Sequence, residues 1–200
     1  MEKPDAPSTE KNREPILAVL REVFADRQQV LEVGSGTGQH AIHFCARLSH
    51  LTWQTSDRPE FLPGIRMWLA EAALPNALPP FDFDVLGPWP GGTYDAVYTA
   101  NTLHIMPWAA VEALFAGLPA VLAPGGILFI YGPFMIDGRH ASESNAAFDQ
   151  SLKEKAPHQG LRDVMALGRL ARQSGLQFLE DREMPSNNRC LIWRMGAPRG

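Results

Sequence analysis

Apolar positions along the chain switch repeatedly between a period near 3.6 and a period of two. Ile16, Leu17, Leu20, Val23 and Phe24 recur at helical spacing, with Asn12 placed to cap that helix and Pro15 tolerated in its first turn. Residues 1–11 hold two prolines and many charges and are expected to be a flexible segment, with order beginning near Asn12. Val30–Val33 reads as a strand, and Ile42, Phe44, Cys45 and Leu48 mark the helix after it. Leu51–Asp57 reads as a second strand, and Ile65, Trp68, Leu69 and Ala72 define a helix ended by Pro75. Phe81–Val85 is a short third strand before the breakers Gly87, Pro88 and Pro90. Tyr94–Ala100 is a fourth strand. Val111, Leu114, Phe115 and Leu118 form the stripe of a helix after Pro107, and Pro124-Gly125-Gly126 turns the chain into a strand at Ile127–Tyr131.

Strands alternating with helices imply a parallel sheet covered by helices on both faces. Beyond Tyr131 the pattern changes. Helices are expected near Asn145–Lys155 and Asp163–Gln173, and the strand-like runs Leu176–Met184 and Arg189–Met195 are joined only by Pro185-Ser186-Asn187-Asn188. A parallel crossover needs a dozen or more residues, so these two runs must pair antiparallel. At 200 residues the chain can bury one sizeable core, and residues 12–200 are read as a single domain.

The most informative chemistry is Val30-Leu31-Glu32-Val33-Gly34-Ser35-Gly36-Thr37-Gly38-Gln39-His40. An apolar strand runs into alternating glycines that permit positive φ and close approach of a ligand, and the next helix offers unpaired N–H groups at the same place. Dinucleotide sites use G-x-G-x-x-G. Here the third glycine comes one position early, and Gln39 occupies the position of the last dinucleotide glycine. Glu32 would repel a pyrophosphate but attract a cationic ligand, directly or through water. Asp57, about twenty residues past the loop at the end of the second strand, can accept both hydroxyls of a ribose; the alternative is a local helix cap for Arg58-Pro59.

Glu-x-Gly-x-Gly-x-Gly after an apolar strand resembles motif I of the class I S-adenosylmethionine (SAM)-dependent methyltransferases, and a parallel sheet closed by a hairpin resembles their fold. The expected architecture is therefore α/β and Rossmann-like: a mostly parallel seven-stranded sheet with a C-terminal antiparallel β-hairpin. The resemblance implies SAM as cofactor, held by Glu32, Gly34, Ser35, Gly36, Gly38, Asp57 and Arg58. It also places Asp84-Val85 at the adenine, with Asp82 as a rival on the same strand face, and Asn101 and His104 at the methionine portion. More narrowly, Ser8–Ile16, Ser142–Asp149, Gly160–Asp163 and Met184–Asn188 together resemble the methyltransferase-like protein twenty-six family, over about residues 8–195. That resemblance implies the same fold and supplies no substrate. Asn12, Asn145, Phe148, Arg162, Asp163, Asn187 and Asn188 become candidates for binding a small polar acceptor. Alternatively, Asn145 and Asp163 cap helices, Arg162 makes an ion pair, and Asn187-Asn188 turns the hairpin.

Composition narrows the partners. The net charge of −4 and pI near 5.8 disfavour broad phosphate-backbone binding, so no nucleic acid is expected. Cys45 and Cys190 belong to no C-x-x-C pair and read as buried, reduced thiols. Met1–Arg13 carries no apolar signal-like run and no segment approaches 18 apolar residues, so a cytoplasmic protein without membrane contact is expected. There is no H-E-x-x-H or paired-cysteine pattern, hence no expected metal; His40, His43 and His50 read as helix-surface residues.

The function expected from these readings is methyl transfer from SAM to oxygen, nitrogen or sulfur of a small molecule, leaving S-adenosylhomocysteine. His104 is the best-placed candidate base, with Tyr131 and Asp149 behind it. Asn101-Thr102-Leu103-His104 stands where an Asn/Asp-Pro-Pro-Tyr would mark an amino-methyltransferase of nucleobases or glutamine amides. The alternatives are a noncatalytic SAM-binding scaffold and an NAD(P)-dependent oxidoreductase.

Overall fold

The computed structural model describes residues 2–197. Strands β1 (Gln29–Val33), β2 (Thr52–Asp57), β3 (Ala77–Asp82), β4 (Tyr94–Ala100) and β5 (Leu122–Gly132) run parallel. A small second sheet follows, made of β6 (Phe134–Ile136), β7 (Arg139–His140) and β8 (Arg162–Asp163). The hairpin β9 (Leu176–Met184) and β10 (Asn188–Met195) completes a seven-stranded sheet of order β3-β2-β1-β4-β5-β10-β9, with β10 antiparallel to both neighbours. The helices are α1 (Pro7–Val23), α2 (Gln39–Cys45), α3 (Leu62–Ala72), α4 (Trp108–Val121), α5 (Glu143–Lys155) and α6 (Val164–Gln173). This is the expected architecture, a mostly parallel seven-stranded sheet with a C-terminal antiparallel β-hairpin and helices on both faces.

Successive strand residues point to opposite faces, and in the central strands β4 and β5 both faces are buried, which is why these read as nearly continuous apolar runs. Leu31, Val97, Leu128 and Ile130 pack beneath α4 and α6 on Leu114, Phe115 and Leu167. Val30, Trp53, Tyr98 and Phe129 pack beneath α1 and α2 on Ile16, Leu20, Phe24 and Phe44. Tyr98 stacks on Phe129 with ring centroids 5.5 Å apart. Both cysteines are buried and free.

Three local expectations need correction: the start of α1, the bounds of the third strand, and the Pro124-Gly125-Gly126 turn, which lies within β5 rather than before it. Helix α1 begins at Pro7 rather than near Asn12; Ala6 is its N-cap, and Pro7 supplies the fixed φ and absent N–H that suit a first turn. Asn12 is thus inside the helix and buried, and Pro15 lies well past the first turn. The third strand is Ala77–Asp82, not Phe81–Val85, because Pro79 and Pro80 sit in a strand at the sheet edge, where missing donors are tolerated. The second sheet has strands of only two or three residues, too short to imprint a period. The chain steps from the edge strand β3 back across to β4, beside β1. That reversal opens a crevice beyond the C-terminal ends of β1 and β4.

Candidate functional site

The glycine loop is tied to β2 by its own backbone. The N–H groups of Gly34 and Ser35 both donate to Ser56 O (3.1 and 2.9 Å), Ser56 Oγ donates to Glu32 O (2.6 Å), and Ser56 N donates to Ser35 Oγ (3.1 Å). Glu32 accepts from Ser35 Oγ (2.8 Å) and Trp53 Nε1 (3.0 Å) on one carboxylate oxygen. Gly34 has φ +76°, and a Cβ there would lie 2.8 Å from Thr102 Cγ2, so only glycine lets β1 and the loop after β4 come this close. Gly38, φ +86°, is the left-handed N-cap of α2 and rests on Ile65. Across the loop, Asp57 accepts from Gly36 N (2.7 Å) with one oxygen and from Arg58 N (2.8 Å) with the other.

These elements enclose a cavity of about 520 Å³ whose wall includes Gly34, Ser35, Gly36, Asp57, Arg58 and Asn101. That volume is in the range of small-ligand sites. Asn101 holds φ +56° and donates its N–H to Tyr131 O (2.9 Å), which aims the turn after β4 at the loop. Burial raises the pKa of Asp57, opposed by the Gly36 and Arg58 N–H groups. Glu32 is raised to about 7 by burial, against the pull of Trp53 and Ser35. Its carboxylate lies behind the loop and is not part of the cavity wall, held by Ser35 and Trp53.

The sequence pattern missed His40. It was expected on a helix surface, yet it lines the cavity, with Nε2 2.7 Å from Asn12 Oδ1, Nδ1 3.3 Å from the Tyr98 hydroxyl and its ring stacked on Phe44. Burial lowers its pKa to about 3, so it is neutral. His43 is likewise buried, and burial and Arg47 lower it to about 4. Asn12 stands behind His40 and beside the Tyr131 hydroxyl; burial pushes Tyr131 to about 12 and keeps it protonated at neutral pH. The cavity also takes walls from Pro4, Ala6, Ser8 and Thr9 and from Ile105 and Met106. No periodic signal could have placed those first four residues there, since their position depends on contacts with α2 and α3.

The remaining candidates lie off the cavity wall. His104 is buried, its pKa lowered to about 4 by burial and the Arg162 charge, with its ring 5.4 Å from Phe148. Asp84 is exposed two residues beyond β3 and accepts from Leu86 N (2.9 Å); Val85 is in the apolar core, and Asp82 is exposed. Asn145 donates to Asn187 O (3.1 Å), and Asn188 to Pro185 O (3.0 Å). Ser142, not Asn145, caps α5. Asp163 caps α6 and also accepts from Gly138 N (2.7 Å). Among the described residues Arg162 makes no ion pair: it donates to Leu103 O, Met106 O and His158 O. Asp149 accepts from Lys153 Nζ (2.5 Å), Leu161 N (2.7 Å) and His140 Nε2 (3.0 Å). Burial alone would raise its pKa, but those donors outweigh burial and lower it. Asp149 is therefore a tether rather than a free base.

A family model matches residues 3–195. The chain belongs to the family of unknown function DUF938. Solved structures share the fold of this DUF938 chain at low sequence identity. An O-methyltransferase family protein from Burkholderia thailandensis superposes with a TM-score of 0.83 at 22% identity, covering 96% of this chain and 58% of that one. The apo SAM-dependent methyltransferase SibL gives 0.82 at 21% identity, over 95% and 56%. Human N-acetylserotonin methyltransferase, solved with SAM, gives 0.71 at 16% identity, over 94% and 57%. The DUF938 chain thus spans a little over half the length of these structures. Among the described residues no group of three or more His, Cys, Asp or Glu is arranged to hold a metal, and no helix is long and apolar enough to cross a membrane.

Proposed function

We propose that this DUF938 chain is a SAM-dependent methyltransferase acting on a small-molecule acceptor. The observation that carries this reading is the cavity built on Gly34-Ser35-Gly36, with the Asp57 carboxylate in its wall and Glu32 behind it. The donors to Glu32, the Ser35 hydroxyl and the Trp53 indole, are both neutral. A cationic ligand over the loop would supply the missing countercharge, whereas a pyrophosphate would add to the repulsion. When bound, SAM supplies an already activated methyl on a sulfonium.

Every other requirement falls on the protein. The loop backbone from Gly34 to Gly38 would hold the methionine end with Asn101 and His104, and Asp57 and Arg58 the ribose. Asp84-Val85 is the adenine candidate, reached from the turn after β3. Orientation in a dry site supplies roughly 7–11 kcal/mol of such a displacement. His104, neutral at pH 7 with a pKa of about 4 and set behind the cavity wall, is the candidate base, since Tyr131 holds its proton and Asp149 is engaged by Lys153, Leu161 and His140. So weak a base suits an acceptor that is acidic or carries a free lone pair. The O-methyltransferase neighbours support a small molecule with an oxygen nucleophile, and the resemblance to the methyltransferase-like protein twenty-six family supports the cofactor but not a particular acceptor.

Titration calorimetry with SAM, S-adenosylhomocysteine and NAD(H) tests the cofactor. Binding of the two sulfur ligands is expected; binding of NAD(H) with none of SAM would overturn the reading. Incubation with methyl-labelled SAM and a metabolite extract should then transfer label to a small molecule, and SAM binding without any transfer would leave a scaffold.

A further inference from the structure

Gln39, the residue that breaks the dinucleotide glycine pattern, is buried at the first position of α2. Its Oε1 accepts from Ala6 N (2.8 Å) and Thr37 Oγ1 (2.7 Å), and its Nε2 donates to Asp5 Oδ1 (2.8 Å). The same segment is held from α3. Trp68 Nε1 donates to Pro4 O (2.7 Å), and Lys3 Nζ lies 3.7 Å from the Trp68 ring centroid and pairs with Glu71. Gly64 leaves the space that Pro4 fills, because a Cβ there would sit 2.5 Å from Pro4 Cγ. On their inner side Glu2, Pro4, Ala6, Ser8 and Thr9 form part of the cavity wall.

We propose that residues 2–9 form a latch over the cofactor cavity, with Gln39, Gly64 and Trp68 as its catches, so that the cofactor enters and leaves when the latch lifts. The proposal rests on the SAM reading. Its contacts are of the kind that open locally: a few hydrogen bonds, one exposed ion pair and a single proline in a notch. The rest of α1 behaves differently, since Ile16, Leu17 and Leu20 are fully buried. Lifting therefore stops where the helix enters the core. Gln39 couples the two halves of the device, since it starts the helix that follows the glycine loop and also grips the latch. Lids of this type commonly set the rate of ligand exchange.

The test is release of S-adenosylhomocysteine from the full chain, read by rapid mixing with excess SAM. Gln39→Ala removes two bonds to the latch, and Gly64→Ala fills the notch; each should speed release about tenfold, as expected from losing contacts of this size. In Gly64→Ala combined with Pro4→Ala the clashing ring is gone, and release should return to the rate of Pro4→Ala alone. Amide hydrogen exchange at Ala6 in the ligand-free protein should rise in both single variants, and Gln39→Ala remains readable should Gly64→Ala not fold. Wild-type release in both single variants, with Ala6 exposed to exchange, would overturn the latch while leaving the cofactor reading intact. Failure of the wild-type protein to bind either sulfur ligand would instead remove the reading beneath it.

Discussion

The glycine loop and the region of α5, β8 and the hairpin turn carry comparable numbers of polar candidates, yet they use them differently. In the first, Gly34, Ser35 and Gly36 line the cavity, and side chains such as Ser35, Ser56 and Glu32 hold the loop in shape. In the second region, Asn145, Asp149, Arg162 and Asp163 bond to carbonyls, amides and helix ends of the protein. A cradle made of backbone is specified by a short stretch of sequence. Polar side chains near a site are open to any neighbour, and burial obliges them to find one.

The sharpest way to break this contrast is Gly34→Val. A β-branched residue at φ +76° is strained, and its Cβ would meet Thr102 at 2.8 Å, so SAM affinity should fall by roughly 100-fold or more in calorimetry. Unchanged affinity would show that the loop is not the cradle. Next comes Asp149→Ala, which leaves Leu161 N–H without its acceptor and should lower unfolding free energy by about 2–4 kcal/mol in urea. SAM affinity should stay within about threefold. A loss of affinity at unchanged stability would make Asp149 part of the ligand site after all.

A pH experiment sharpens the role assigned to Glu32. Its folded pKa is raised from 4.5 to about 7, so the folded state binds the extra proton. The stability it contributes is complete below pH 4.5 and is lost as pH rises to about 7, by about 2–3 kcal/mol. Glu32→Gln can keep both donors on one oxygen and should flatten this slope in denaturation curves at pH 5 and pH 8; an equal slope in both proteins would mean that another group titrates. Smallest of all is Asn188→Ala in the exposed turn, where the Asn188 side-chain amide donates to carbonyls of its own turn. A change within about 0.5 kcal/mol is expected, and a large loss of methyl transfer at that stability would restore it as an acceptor residue.

Most of the architecture was legible because each element carried its own signal. The Leu114–Leu118 stripe of α4, the Pro-Ser-Asn-Asn turn of the hairpin and the Gly34–Gly38 loop are local patterns with local causes. The misreadings share a different origin. The third strand was placed too late, at Phe81–Val85, because the edge position that tolerates Pro79 and Pro80 is a property of the sheet, and His40 looked like a surface residue because seven residues of α2 are too few for the period to show which face is covered. Residues 3–6 looked loose because their partners, Gln39, Gly64 and Trp68, lie more than thirty residues away.

Sequence alone determined the strand-helix alternation, the antiparallel closing hairpin and the glycine loop aimed past a strand end, since backbone conformation and burial period are written within a few turns of chain. Only the tertiary structure decided which polar groups remain free to meet a ligand. Glu32 retreated behind the loop and Asp149 and Arg162 became braces, while His40 and the segment before α1 moved into the wall. A buried donor or acceptor takes the partner that folding brings to it, and that partner is rarely its neighbour in sequence.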